Sequence, residues 1–297
     1  MATLNVDLSQ LPKPAVIEEL DYETIFNQMK DTLIELDPAF DALEESDPAI
    51  VVLQVAAYWR LVDRQRVNDA ALSVLVAYAE DEDLDHLGAL FDVKRLILDE
   101  GDPAAVPPRP VIKEGNDEYR RRILLAMHGI STAGPEGAYI FHGLSADPDV
   151  KDISVSSPVP VEVVVHVLSK TGNGLASQTL LDKVDAKLNG KEIRPLTDKV
   201  TVQSANISEF RVEAVLHINS GPDPDLVVEA ARNALAVYLD DSHRLGVDIT
   251  LSGIYAALHQ AGVWKVSLAS PTADIVVDSS SAAYCTEVVI SQGGGSV

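Results

Sequence analysis

Three side chains suited to metal chemistry stand close together in this chain: Asp240, Asp241 and His243. Two carboxylates and an imidazole can hold a divalent ion, and such an ion would activate water for hydrolysis. The same three residues also fit a polar loop between two helices. The remaining histidines offer less. No pair shows the H-E-x-x-H spacing of a zinc helix. His142 and His259 occupy matching places in two similar stretches, which suits packing or capping. Lys170-Thr-Gly-Asn-Gly174 is glycine-rich but lacks the G-x-x-x-x-G-K-[ST] pattern of a phosphate loop, so it reads as a strand-to-helix turn in which Gly172 and Gly174 supply positive φ. No G-x-S-x-G elbow occurs. Cys285 is the one cysteine; it falls in an expected strand and reads as a small buried hydrophobe. The residues therefore predict no catalytic group, no cofactor and no metal. A cytoplasmic metal-dependent enzyme built on Asp240, Asp241 and His243 stands as the alternative.

Composition narrows the function classes further. Lys plus Arg is 23 and Asp plus Glu is 46, a net charge of −23. A phosphate backbone requires a cationic footprint, so nucleic acid is excluded as a partner, and anionic lipid is disfavoured. The acidity suits solubility or a basic partner. A single cysteine fits a reducing compartment. Residues 1–11 have neither the basic start nor the apolar core of a secretion signal, and no apolar run is long enough to span a bilayer. The chain reads as soluble and cytoplasmic.

The elements that position these residues are legible from periodicity. Residues 1–20, with Pro12 and Pro14, read as an extended arm. A helix over 22–36 carries Ile25, Met29, Leu33 and Leu36 at helical spacing and ends at Asp37-Pro38. Asp47-Pro48 opens a second helix, and no breaker occurs until about Glu80, which predicts a rod of about 50 Å at about 1.5 Å per residue. Its first third, Ala49 to Trp59, is apolar almost all round; its middle, Arg60 to Asp69, is charged; its last third is apolar again. A helix apolar on every side must be covered on every side. Either neighbouring helices of the same chain or other chains supply that cover. The residues expected at a partner interface are Ile50, Leu53, Ala57, Tyr58, Trp59, Leu61, Leu72 and Leu75. The acidic run Glu80–Asp83 suits the start of a further helix over 84–91.

Residues 99–115 hold four prolines without periodicity and predict polyproline II or irregular structure, a linker between a helical region (21–98) and the C-terminal two thirds of the chain. After the linker, one order of elements occurs twice. Helix, turn, helix, strand, strand runs from Asp117 through Val167, with Ser157-Pro158 as the turn of a hairpin, and returns between Pro224 and Ser291. The fold class is α+β, with small domains over 116–205 and 206–297, each packing helices on a mostly antiparallel sheet. Arg120, Arg121 and Arg122 read as a solvated helix face, with an acidic partner as the other possibility.

Several segments, in order, carry a resemblance. They are Leu8-Ser-Gln-Leu-Pro-x-Pro14 with Leu20-Asp-Tyr-Glu23, Asp117-Glu-Tyr-Arg-Arg-Arg-Ile123, Ser131-Thr-Ala-Gly-Pro135 with Ala138-Tyr139, Asp149-Val150, Val155 to Pro158, Arg194-Pro-Leu-Thr-Asp198 with Val200 and Val202, and Ala257-Leu-His259 with Gly262-Val263. Through them the chain resembles the baseplate J-like proteins of contractile phage tails and tail-like bacteriocins. The resemblance implies a structural subunit of the baseplate wedge with no catalytic residues. Its N-terminal helices would bundle with a second copy and another wedge protein. Its later domains would link wedges into a ring around the hub that rearranges on contraction. It also implies location in the virion baseplate, after assembly in the host cytoplasm. The chain departs from the family pattern at Val161-Glu162, where Pro-Gly is expected in the hairpin turn.

Overall fold

Asp21 opens the first element: its side chain accepts the Thr24 amide at 2.8 Å, and helix α1 (Tyr22–Leu36) begins there. The computed structural model describes residues 11–293 apart from Leu43, Thr132, Ser220 and Pro222. Residues 1–10 of the expected arm, and Thr132 of the Ser131–Pro135 segment, lie outside the described residues. The chain forms two compact units, one through Arg95 plus Gly115–Ile123, the other Leu96–Glu114 plus Leu124 onward.

In the first unit α1 packs along α2 (Pro48–Ser73). Glu18, in the described part of the arm, lies against the polar middle of α2. The buried Asn68 amide donates to the Glu18 carbonyl (2.9 Å) and accepts the Glu18 N–H (3.1 Å), and Arg64 pairs with the Glu18 carboxylate at 2.5 Å. The long rod expected to reach Glu80 stops at Ser73. Its 26 residues span about 39 Å, not about 50 Å. The reason lies outside the helix. Arg120 donates to the carbonyls of Val76 (2.7 Å) and Ala79 (2.8 Å), so the turn after Ser73 satisfies its backbone without continuing the helix. Helix α3 (Asp81–Ala89) comes next, with Asp81, Glu82 and Asp83 in its first turn, where the positive end of the dipole favours them.

Helix α4 (Asn116–Gly129) begins in this unit. Tyr119, fully buried, donates to the Val93 carbonyl at 2.7 Å, and the Arg95 guanidinium sits 4.5 Å from its ring centroid. Gly88 permits this approach, since a Cβ there would collide with the Tyr119 hydroxyl. Arg122 is buried and donates to the Lys94 carbonyl at 2.6 Å. Arg120 and Arg122 are thus internal staples, which corrects the reading of a solvated face. The packing that captures them involves residues tens of positions away.

In the second unit the proline-rich stretch is a hairpin rather than polyproline II. Strands β1 (Ile97–Asp99) and β2 (Ile112–Lys113) pair antiparallel. Asp102 and Arg109 exchange backbone hydrogen bonds at 2.9 Å in both directions. These two non-prolines supply the N–H groups that the flanking Pro103, Pro108 and Pro110 lack.

Two three-stranded sheets make up the rest. Helix α5 (Glu136–Leu144) packs on β3 (Val150–Ser156), β3 pairs antiparallel with β4 (Glu162–Ser169), and helix α6 (Gln178–Leu188) carries the chain to β5 (Lys199–Ser204), parallel to β4. Ala205 alone joins β5 to β6 (Asn206–Ile218), so the chain enters the second sheet almost without a loop. Helices α7 (Pro224–Ser242) and α8 (Leu251–Leu258) then lead to β7 (Val263–Ser270) and β8 (Ser281–Gly293). The order is β7-β6-β8, with β6 antiparallel to β7 and parallel to β8. The core lies between β6 (Val212, Ala214, Leu216, Ile218) and α7–α8 (Val227, Ala231, Leu235, Ile254, Leu258).

The α+β class holds, and the order helix, helix, strand, strand occurs twice. The pairing differs between the copies. In the first the two strands are neighbours; in the second β6 lies between them. Each sheet is mixed rather than mostly antiparallel, because a long crossover precedes each parallel partner: α6 before β5, and α7, α8 and β7 before β8. The β3–β4 turn keeps a left-handed residue, Val161 at φ 75°, a conformation that strains a β-branched side chain.

Candidate partner-binding surface

Helix α2 carries two apolar stripes on nearly opposite sides. At about 100° per residue, Ile50, Leu53, Ala57, Leu61 and Asn68 share one side. Val51, Val52, Val55, Tyr58 and Trp59 share the other. The first stripe is covered by the chain itself: Ile50 and Ala57 are buried, Ala57 at 0% exposure, and Leu53 lines a groove of about 420 Å³ together with Ile25, Met29, Leu33 and Leu36 of α1. The second stripe faces out. Val52 is 68% exposed, Tyr58 55% and Trp59 59%, and the Tyr58 and Trp59 rings meet edge to face at 5.6 Å. The eight residues expected at a partner interface therefore divide. Ile50 and Ala57 lie inside the unit; Leu53, Leu61, Leu72 and Leu75 are half-buried; Tyr58 and Trp59 are outside. Val51, Val52 and Val55 belong with the outer pair and were not among the eight. Sorting Ala49 to Trp59 by helical angle, rather than noting its apolarity as a whole, separates the two stripes.

The candidates for chemistry do not converge. The Asp240 carboxylate accepts the Lys151 ammonium at 2.6 Å, and chiefly this hydrogen bond holds its pKa below the usual carboxylate value. His243 turns the other way, its Nδ1 donating to the Ala283 carbonyl at 2.7 Å, and burial lowers its pKa. Asp241 is exposed. Among the described residues no three His, Cys, Asp or Glu side chains gather to hold a metal ion. His142 Nε2 reaches the Gly129 carbonyl (3.1 Å) at the end of α4, and His259 closes α8 with its backbone N–H on the Tyr255 carbonyl. Both matching histidines are thus helix-end residues. Gly172 (φ 63°) and Gly174 (φ 99°) shape the β4–α6 turn as expected. Cys285 is half-buried, and its thiol is pushed up by desolvation, the reverse of an activated nucleophile. Tyr139 donates to Asp198 at 2.8 Å, and burial, with that carboxylate, raises its pKa. The Asp198 carboxylate also lies 2.9 Å from where a Cβ on Gly134 would stand (φ 72°), which ties Ser131–Pro135 to Arg194–Asp198.

Two stretches of the chain match known family models. Residues 45–102, which contain α2, match the baseplate J-like N-terminal domain, and residues 131–204 match the baseplate J-like central domain. The chain is 47% identical over 296 residues to baseplate protein J of Escherichia phage P2, covering 97% of this chain and 98% of that protein. A chain in the six-fold symmetrised baseplate of the anti-feeding prophage aligns with a TM-score of 0.40 at 12% identity, over 62% of this chain and 44% of that one. Near-complete alignment at almost one identity in two places this chain in the baseplate J-like family.

Proposed function

We propose that the chain is a structural subunit of the baseplate wedge of a contractile phage tail or tail-like bacteriocin. It links wedges into a ring around the hub and takes part in the rearrangement that accompanies contraction. The family supports the baseplate role. The observation that carries the wedge role is the outer stripe of α2, Val51 to Trp59, apolar and uncovered on a helix whose opposite stripe is already packed. Such a stripe is finished by helices of other chains, here other wedge proteins and a second copy of this chain, through interfaces of about 2,000 Å² or more. Catalysis plays no part in this reading: Asp240 pairs with Lys151, His243 turns to the Ala283 carbonyl, and Asp241 is exposed. In this reading the protein resides in the tail baseplate and is assembled in the host cytoplasm. The layout is an arm (1–20), a helical bundling region (21–98), a connecting segment (99–115) and two α+β domains (116–205 and 206–297).

The test is co-production of the full chain with the other tail proteins of its particle. The wild-type chain co-purifies with at least one of them. Trp59→Glu, which places a charge on the exposed stripe without touching the covered one, abolishes co-purification while the melting temperature of the chain stays put. Undiminished recovery of the partner with Trp59→Glu would overturn the assignment of α2 as the wedge contact.

A further inference from the structure

We infer that the distal half of β8 pairs with the same strand of a second copy of this chain, antiparallel, about a two-fold axis through Ile290. The two three-stranded sheets have four outer strands, β3, β5, β7 and β8. An outer strand exposes unpaired backbone groups, and proteins guard such edges with lysine, proline or inward charge. β3 carries Lys151 and Asp152, β5 begins at Lys199, and β7 carries Lys265 and runs into Pro271. β8 has a single charge, Glu287, and neither lysine nor proline along Ser281–Gly293.

The proximal half of β8 is guarded from within. The Ser281 carbonyl accepts the Gly246 N–H at 2.9 Å, and the Ala283 carbonyl accepts from His243 Nδ1 at 2.7 Å. Both carbonyls therefore point away from β6. A bulge then interrupts the pairing: Phe210 lies opposite Cys285, but Arg211 lies opposite Glu287, so Thr286 is extra. The extra residue reverses the alternation. Beyond it Val288, Ile290 and Gln292 turn N–H and C=O outward, and no element of the described chain covers them. Val289, 43% exposed, stands on the solvent face between them.

This edge is self-complementary. With the axis at Ile290, Ile290 opposes its own copy and Val288 opposes Gln292, and each of these outward-facing pairs exchanges two backbone hydrogen bonds. Glu287 then opposes Gly293, so the two carboxylates stay apart. Val289 meets Ser291 of the other copy on the exposed face. Charge favours this place over others. Copies carrying −23 each repel, and they approach most easily where the surface is nearly neutral. The inference stands apart from the baseplate reading, since it concerns a different element from α2.

The experiment mixes full-length Val289→Cys with full-length Ser291→Cys under mild oxidation, with the wild-type chain controlling for Cys285. A covalent dimer forms in the mixture and at least about tenfold less in either variant alone or in wild type, because the register opposes 289 to 291 and not to itself. In sedimentation equilibrium, Val289→Lys raises the dimer dissociation constant by about tenfold or more, while Trp59→Glu leaves this dimer intact. Equal cross-linking in mixture and single variants would overturn the register. A wild-type chain that is monomeric at all concentrations, or self-association lost with Trp59→Glu and kept with Val289→Lys, would overturn the pairing and leave the edge to a strand of another protein.

Discussion

Helices α2 and α7 are the two longest in the described chain, and they solve burial in opposite ways. In α7, Val227, Ala231 and Leu235 recur every fourth residue, all buried in the core shared with β6 and α8, and outside that stripe Leu226 and Val237 are the large apolar residues left exposed. Asp223 caps it, and Pro224 sits at its first position. In α2 the apolar residues fall on two sides, and only one is covered. A single stripe lets a helix complete its packing within the chain. Two stripes leave half of the hydrophobic gain unrealised until another surface arrives. Overall apolarity thus says little about where a helix is buried, whereas the angular distribution of its apolar residues says how many surfaces it needs.

The largest effect is expected in α7. Leu235 is 0% exposed and packs at the centre of the β6–α7–α8 core. Leu235→Ala costs about 2–5 kcal/mol of stability, the transfer term plus the cavity left behind. Chemical denaturation of the full chain should show that loss in the transition of the second unit. A change below about 1 kcal/mol would mean that the core is not organised around α7 as described.

Next comes the covered side of α2. Asn68 is the buried polar residue to which the arm is fixed through the backbone of Glu18. Asn68→Ala leaves the Glu18 N–H and C=O without partners and costs about 1–3 kcal/mol if they stay buried, less if the arm lifts away and they are hydrated. The two cases separate by limited proteolysis: release of the arm exposes Pro14–Leu20 to cleavage, and a buried loss lowers the melting temperature without new cuts. Neither change would show that the arm does not depend on Asn68.

How far the sequence revealed these elements depends on how local their causes are. Helix α1 was legible because its stripe, Ile25 to Leu36, and its terminator, Asp37-Pro38, are local. The Lys170–Gly174 turn was legible because the glycines carry the φ values that the turn demands. The end of α2 was not, since Arg120, which holds the Val76 and Ala79 carbonyls of the turn that follows it, stands more than forty residues on. The Pro-rich hairpin was hidden for a related reason: the prolines dominate the composition, while Asp102 and Arg109, which make the backbone pair, look ordinary. Strand pairing was the least legible. The same order of elements gives β3 a neighbour in β4 but separates β7 from β8, because β6 enters between them from outside the repeated segment. Of the residues the sequence offers for an interface, Tyr58 and Trp59 are exposed on α2. The sequence also offers Ile50 and Ala57, which lie in the chain's own packing, because a run that is apolar all round does not by itself say which side the short helix α1 will cover.

The smallest expected effect on the isolated chain comes from the outer stripe, and its smallness is the point. Trp59 is exposed, so Trp59→Ala removes little buried area from the free subunit and should shift its stability by no more than about 0.5 kcal/mol. The same truncation in an assembled helical bundle would remove a large aromatic anchor, the residue type that most often dominates an interface. Thermal melts of free Trp59→Ala and wild type should therefore superimpose, in contrast to Leu235→Ala. If Trp59→Ala destabilised the free chain as Leu235→Ala does, the second stripe would already be covered within the subunit, and α2 would differ from α7 only in length.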